Sequence, residues 1–357
     1  MSVIALRPTD PVRPRNLLRL ASWNIEWFTA LFDDLDRPQE DHQPAHRHGV
    51  TRGDQLAAIA IVMTAMQADG IMVIEAPDTN GKRNSVRALE NFARRYGLAT
   101  TRAVSGFKSE TEQEITFLFN PDHMQVRHDP QGNPRFDGTF HHDLNGDGQP
   151  EPIRPSKPPL ELELLSRGHK LRLIGVHVKS KAPHGARNPA EASRIAIENR
   201  RKQLAECLWL RRRIEDQLAA GDDLIVMGDF NDGPGLDEFE RLFGYSGVEV
   251  VMGMGCPPET QLYDPHADMA LKSRLQPTTA RFWNNGLERY FEALLDFIMV
   301  SARLRSGTTA QDWRIWHPLN DPACWKVPEL RDALLTASDH FPVTLDLRLD
   351  RADRARI

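Results

Sequence analysis

The apolar positions along the chain fall into two patterns. Short runs rich in Ile, Val, Leu and Phe recur at strand length: LRLASWNIEWF (18–28), GIMVIEA (70–76), EITFLFN (114–120), LRLIGVHVK (171–179), DLIVMGDF (223–230), LLDFIMVS (294–301) and FPVTLDLRL (341–349). Helical spacings lie between some of them. Leu56, Ile59, Ala60 and Met63 stand at i, i+3, i+4 and i+7, and the segment 84–97 stops at Gly97, a suitable residue just past a helix end. Residues 189–220 carry Ile195, Leu204, Cys207, Leu208 and Ile214 on one side, with Arg200, Arg201, Arg211, Arg212 and Arg213 elsewhere. That segment reads as a helix with a solvated basic face. The irregular alternation predicts a layered α/β or α+β domain. No shift in composition divides the chain. We expect one domain over 17–350, a loose arm over 1–16, and polar loops inserted at 29–54, 128–159 and 252–286, a length at which loops are often functional.

Several strand-like runs end in polar residues. In VMGDFNDGPG (226–235), Asp229 and Asn231 are two apart, which puts them on one face of a strand, although an Asx-type turn explains the same residues. Asn24, Glu75, His177, Asp296, Asp339 and His340 sit within or at the end of apolar runs in the same way. A buried carboxylate costs several kcal/mol unless it is paired or metal-bound, so the recurrence predicts a shared polar site where strand ends converge. Oxygen ligands such as Glu75 suit Mg²⁺ or Mn²⁺. A His backed by an acid suits activation of water. Asn side chains can orient water or donate to a phosphate oxygen, and Lys179 and Lys181, just after His177, can meet phosphate charge. The set fits metal-assisted hydrolysis of a phosphate ester.

Composition narrows the picture in two ways. The net charge of −5 over 357 residues gives no global basic field, so a polyanionic substrate must be held by local Lys and Arg. Cys207, Cys256 and Cys324 have no metal-type spacing and suit a reduced protein. With no signal-like N-terminus and no run of about 20 apolar residues, the expectation is a soluble, cytoplasmic chain.

The ordered motifs SWNIEW, VIEAP, GVHVKSK, GDFND, LLDFIMVS and SDH resemble the endonuclease/exonuclease/phosphatase superfamily of DNase I-like phosphohydrolases, over roughly 19–348. The resemblance implies a four-layered α/β sandwich, an α+β fold of two mainly antiparallel sheets packed face to face with helices outside. It also implies roles. Glu75 is the principal Mg²⁺ ligand, with Asn24 and Asp339 near the metal. His340 is the general base or phosphate-contacting His, oriented by Asp296. Asp229 positions or deprotonates the attacking water, Asn231 steadies the phosphate, and His177 contacts a phosphate oxygen or assists the leaving group. Relatives pair the strand His with a Glu. Here Glu112 and Glu114 straddle the corresponding place and neither is assigned. Many relatives also have Gln before the metal-binding Glu, where this chain has Ile74.

Other motifs bear on ligands. In HDLNGDGQPE (142–151), Asp143, Asn145, Asp147 and Glu151 are spaced like the first half of a calcium loop, and we expect a structural Ca²⁺ there over a plain hairpin tip. Arg154 and Lys157 precede a strand expected beside the site, where they either touch phosphate or form a Pro-rich connector. His42, His46 and His48 read as a solvated loop. Arg281, Phe282 and Trp283 either stack on bases or pack beneath the Asp296 strand. The expected activity is Mg²⁺-dependent phosphodiester hydrolysis on nucleic acid. The alternatives are a phosphatase or phosphodiesterase for a small or lipid phosphate, and a catalytically silent binding protein of the same fold.

Overall fold

The computed structural model describes residues 14, 16–144, 147–183, 185–236, 244–273, 276–284 and 288–349. Most of the arm expected over 1–16 therefore lies outside the described residues. Two six-stranded sheets form the centre. The first runs β15 (Trp313–Ile315), β16 (Val343–Arg348), β1 (Leu17–Asn24), β2 (Gly70–Ala76), β4 (Glu114–Phe119), β3 (Arg102–Ser105). The second runs β11 (Leu262–Tyr263), β14 (Asp296–Ser301), β10 (Leu224–Asp229), β9 (His169–His177), β8 (Leu160–Ser166), β5 (Gln125–His128). Two hairpins stand outside them, β6 (Phe140–His142) with β7 (Glu151–Ile153), and β12 (Ala280–Asn284) with β13 (Arg289–Ala293).

The two-residue period of the strands creates the layers. In β1, Leu18 and Leu20 enter the core between the sheets, while Ala21 and Trp23 face the helices. In β10, Ile225 and Met227 enter that central core, while Leu224 and Val226 meet the opposite helix layer. One outer layer contains α1 (Arg52–Met66), α2 (Ser85–Tyr96) and the helix Pro328–Ala337. The other is built on α3 (Pro189–Ala219). This is the four-layered α+β sandwich.

Caps fix several of these helices. The Thr51 side chain accepts the Asp54 amide at the start of α1, Asn84 accepts the Arg87 amide at the start of α2, and Gly97, at φ 66°, ends α2 in the left-handed conformation.

Both large sheets are mainly antiparallel, as expected, with one parallel pair in each, β1 with β2 and β9 with β10. Two expectations are corrected. The region 252–286 contains β11, the helix Pro265–Lys272 and β12, so much of it is structured. The arginine face of α3 is partly buried. Arg200, Arg211 and Arg213 are 0%, 7% and 3% exposed. Arg200 pairs with Asp232 at 3.0 Å, and Arg213 pairs with Glu161 and lies over the Phe136 ring. Their partners come from distant strands and loops, which local charge pattern cannot reveal.

Candidate active site

The parallel pairs bring strand ends to one edge of the sandwich. In the second sheet, Asp229 is register partner to His177 on one side and to Asp296 on the other, so three chemically active side chains lie across three adjacent strands. Gly228 permits this close approach. Its φ is +145°, and a Cβ there would lie 2.0 Å from the Val176 carbonyl oxygen. In the first sheet, Asn24 ends β1 beside Ile74, and Glu75 follows at φ 59° in a bulge of β2. A left-handed non-glycine residue costs about 1–3 kcal/mol, and such strain gathers at functional sites. Asn231 is also left-handed, at φ 49°.

The sheets are tied together at this edge. Asn24 Nδ2 donates to Asp229 Oδ2 at 2.9 Å, and Trp23 Nε1 donates to the His340 carbonyl at 2.9 Å. Ser338 Oγ donates to the Asn24 carbonyl at 2.9 Å and accepts the His340 and Glu26 amides, each at 3.1 Å. These bonds hold the Ser-Asp-His turn against the end of β1. Ser338 and Glu26 were missed in the sequence, although Ser338 lies inside the SDH motif and Glu26 inside SWNIEW.

The imidazole of His340 bonds Asp296 Oδ2 through Nδ1 at 2.8 Å. Thr279 Oγ1 accepts the Asp296 amide at 3.0 Å. Burial opposes a charge on His340, but the Asp296, Asp229 and Asp339 carboxylates outweigh it and hold the imidazolium well above the usual histidine range. Burial pushes Asp229 up to about 7; the His340 charge lowers it and Asp296 raises it. Asp229 accepts the Asn231 amide at 2.7 Å, while Asn231 Nδ2 bonds the Val178 carbonyl at 3.0 Å and Asp229 at 3.2 Å. Asn231 thus braces Asp229 from a turn rather than from the same strand face.

The site opens into a groove of about 900 Å³. Asn24, Glu26, Glu75, Asp229, Asp339 and His340 line it, together with the apolar Leu236, Phe282, Phe291 and Leu295. Phe282 and Phe291 therefore belong to the groove wall, while Trp283 and Tyr290, beside them on the hairpin, are exposed. A second cavity, of about 710 Å³, lies at the opposite strand ends around Asp69 and His123, away from this chemistry.

Asp229, Asp296 and His340 bring three ligand atoms within 4.8 Å, a grouping able to hold a divalent cation. The oxygen-rich edge beside them fits a hard cation better. Asn24 Oδ1 is buried and has no hydrogen-bond partner, and burial followed by the Asp339 charge raises Glu26. Burial also raises Glu75, against the pull of Lys157, the Trp27 amide and His340. An orphaned acceptor among crowded carboxylates is a donor set that fits a divalent cation.

The residues flanking this centre are arranged less simply. Lys181 Nζ bonds Asp232 at 2.6 Å, the carboxylate that also pairs with Arg200. The Lys179 amide donates to Glu206 Oε2 at 2.8 Å, and Lys179 lines the groove. His177 Nε2 lies 2.9 Å from Lys157 Nζ and 3.6 Å from Asp229. Burial, then Lys157, His340 and Lys179, hold His177 neutral, well below the usual range. Neither Glu112 nor Glu114 bonds it among the described contacts.

Glu114 instead accepts the Thr79 and Ser109 amides at 3.3 and 3.0 Å. Burial raises it to about 7, offset by those bonds and reinforced by Asp78. Because its folded value is raised, its stabilising share is complete below the unfolded value and is lost as pH climbs through about 7. Glu114→Gln is expected to remove about 2–3 kcal/mol of the stability lost between pH 5 and pH 8. Denaturant unfolding at both pH values checks this, and an unchanged pH slope would contradict it.

The expected calcium loop is turned onto itself. Asp143 accepts the Asp147 and Gly148 amides, Asp147 accepts the Gln149 amide, and Glu151 accepts the Leu144 amide. Asn145 lies outside the described residues. Among the described residues the three carboxylates do not form a ligand cluster. All three cysteines are free, and none of the described helices is long and apolar enough to cross a membrane.

No curated protein sequence matches the chain significantly. Among solved structures, it is similar to selenomethionine TDP2 from Caenorhabditis elegans, with 15% identity, 93% of this chain and 74% of that chain covered, and a TM-score of 0.50. It is similar to TDP2 from the same organism in a second structure, with 14% identity, coverage of 93% and 75%, and a TM-score of 0.50. An endonuclease/exonuclease/phosphatase family protein from Bacteroides thetaiotaomicron is also similar, with 14% identity, coverage of 94% and 98%, and a TM-score of 0.48. At these identities the two TDP2 structures speak for the fold alone. The model of the endonuclease/exonuclease/phosphatase family matches residues 21–340, which span every strand-end residue described above, and the chain belongs to that family.

Proposed function

We propose that this protein is a Mg²⁺- or Mn²⁺-dependent phosphodiesterase whose substrate is nucleic acid. The observation that supports this most is the convergence of Asp229, Asp296 and His340 beside the unpartnered Asn24 Oδ1 and Glu75, in one groove. Glu75, Asn24 and Asp339 would hold the cation. When bound, it offsets the charge that develops on the phosphoryl oxygens. Asp229, with an affinity near neutrality, takes a proton from water as the water oxygen attacks phosphorus. Asn231 fixes the Asp229 carboxylate. His340, held as an imidazolium with its Nδ1 on Asp296, has its Nε2 proton to give, and the leaving oxygen takes that proton when its bond to phosphorus breaks. His340 thus works as a donor, and the base is Asp229. The apolar wall of Phe282, Phe291 and Leu295 gives the planar part of a nucleotide a surface next to the reacting phosphate.

The test is a panel of single-stranded DNA, double-stranded DNA, RNA, an inositol phosphate and sphingomyelin, each with Mg²⁺. Cleavage of at least one nucleic acid well above the small and lipid phosphates is the expected outcome. The reverse order would move the protein to a different substrate class.

A further inference from the structure

Lys157 is the feature that the reaction above leaves unused. It lies in a Pro-flanked stretch, Pro155-Ser-Lys-Pro-Pro159. The Ser156 carbonyl accepts the Glu110 amide at 2.8 Å and the Ser109 hydroxyl at 3.2 Å, and the two following prolines have fixed φ. The backbone therefore presents Lys157 from an anchored segment. Its side chain enters the groove shared by Glu75, Asp229 and His177. Nζ makes one hydrogen bond among the described residues, to His177 Nε2 at 2.9 Å.

That bond has a direction. An ammonium group has three N–H donors and no acceptor, so Nε2 must accept. The proton of the neutral imidazole is then on Nδ1, which is buried without a partner. In this tautomer His177 has no Nε2–H to give to a phosphate oxygen. Lys157 still has two N–H groups to give; burial lowers its proton affinity, and the Glu75, Asp229 and Glu206 carboxylates near it oppose that and favour its charge. The arrangement inverts the role expected for the strand histidine.

Resting on the phosphodiesterase reading, we propose that Lys157 is a catalytic residue that donates directly to a non-bridging phosphate oxygen in the transition state, and that His177 is a positioning residue that holds the ammonium by accepting one of its protons. The cation that meets the phosphate on this side of the groove is then a side chain from the 128–159 insertion. Lys181, bonded to Asp232, does not serve there.

The experiment measures kcat and KM for a p-nitrophenyl phosphodiester with saturating Mg²⁺. It compares wild type, Lys157→Met, Lys157→Arg and His177→Gln, with a melting curve for each. Lys157→Met is expected to lower kcat about a hundredfold or more, as loss of a preorganised donor does, with KM within about threefold. Lys157→Arg keeps the charge and recovers part of the rate. His177→Gln retains a carbonyl oxygen that can accept from Lys157, so its kcat stays within about tenfold of wild type. Should Lys157→Met melt early, Lys157→Gln carries the comparison. An active wild type in which His177→Gln loses more than the Lys157 variant would overturn this inference and leave the functional reading standing. A wild type that hydrolyses no phosphodiester would overturn both.

Discussion

At limiting Mg²⁺, Glu75→Gln hydrolyses a phosphodiester about a thousandfold more slowly than wild type, because several kcal/mol of transition-state charge stabilisation depends on the cation it would hold. The amide keeps the shape of the carboxylate and removes its charge. Raising Mg²⁺ restores part of the rate, since Asn24 and Asp339 remain. Folding is not what fails. Burial already disfavours the Glu75 carboxylate, and a neutral side chain at that position relieves the cost. The melting temperature of the variant is therefore equal to or above that of wild type. A Mg²⁺ titration of rate, with melting curves beside it, separates these effects. Normal hydrolysis at limiting Mg²⁺ would remove Glu75 from the metal site.

The second large effect belongs to His340 and Asp296. His340→Ala is expected to lower single-turnover cleavage about 10²–10⁴-fold, the range of a positioned proton donor. Asp296→Asn acts through the ring. It removes the nearest charge that keeps the imidazolium, so the protonated fraction falls at lower pH and the alkaline limb of the rate profile moves down. On the acid side, rate rises as pH passes through about 7, where Asp229 loses its proton. If the two residues act as a unit, His340→Ala/Asp296→Asn is scarcely worse than His340→Ala alone. Fully additive losses would show that they act separately. Asp229→Asn is damaging for a different reason, since it removes the base, and its acid limb should vanish with the rate.

Much of this site was legible in the sequence because each residue sits at the end of an apolar run. Asn24, Glu75, His177, Asp229, Asp296 and the Asp339–His340 pair break strand patterns abruptly, and strand ends in a layered sheet converge at an edge. Gly97 marked a helix end for a similarly local reason. What sequence could not supply was pairing. That Asp229 lies between His177 and Asp296 follows from sheet register, although they stand 52 and 67 positions from it along the chain. Lys157 reaches His177 at the open end of the β8–β9 pair, and its Pro-rich neighbours read equally well as a connector. Glu114 was held as a possible partner of His177 because of its position before a strand, yet two backbone amides claim it. Arg200 and Arg213 read as surface charges until Asp232 and Glu161 are placed beside them. The calcium spacing of 143–151 was a match in type and order, but a loop of that composition also satisfies its own amides.

The central claim is that the converging strand ends form a cation-dependent phosphodiester-cleaving site. The most direct measurement is single-turnover cleavage of an end-labelled oligonucleotide by wild-type protein, first stripped with EDTA and then given graded Mg²⁺ or Mn²⁺. The expected result is no cleavage in chelator, with a rate that rises and saturates as the cation is restored. Cleavage at full rate in EDTA, or none at any cation concentration, would contradict it.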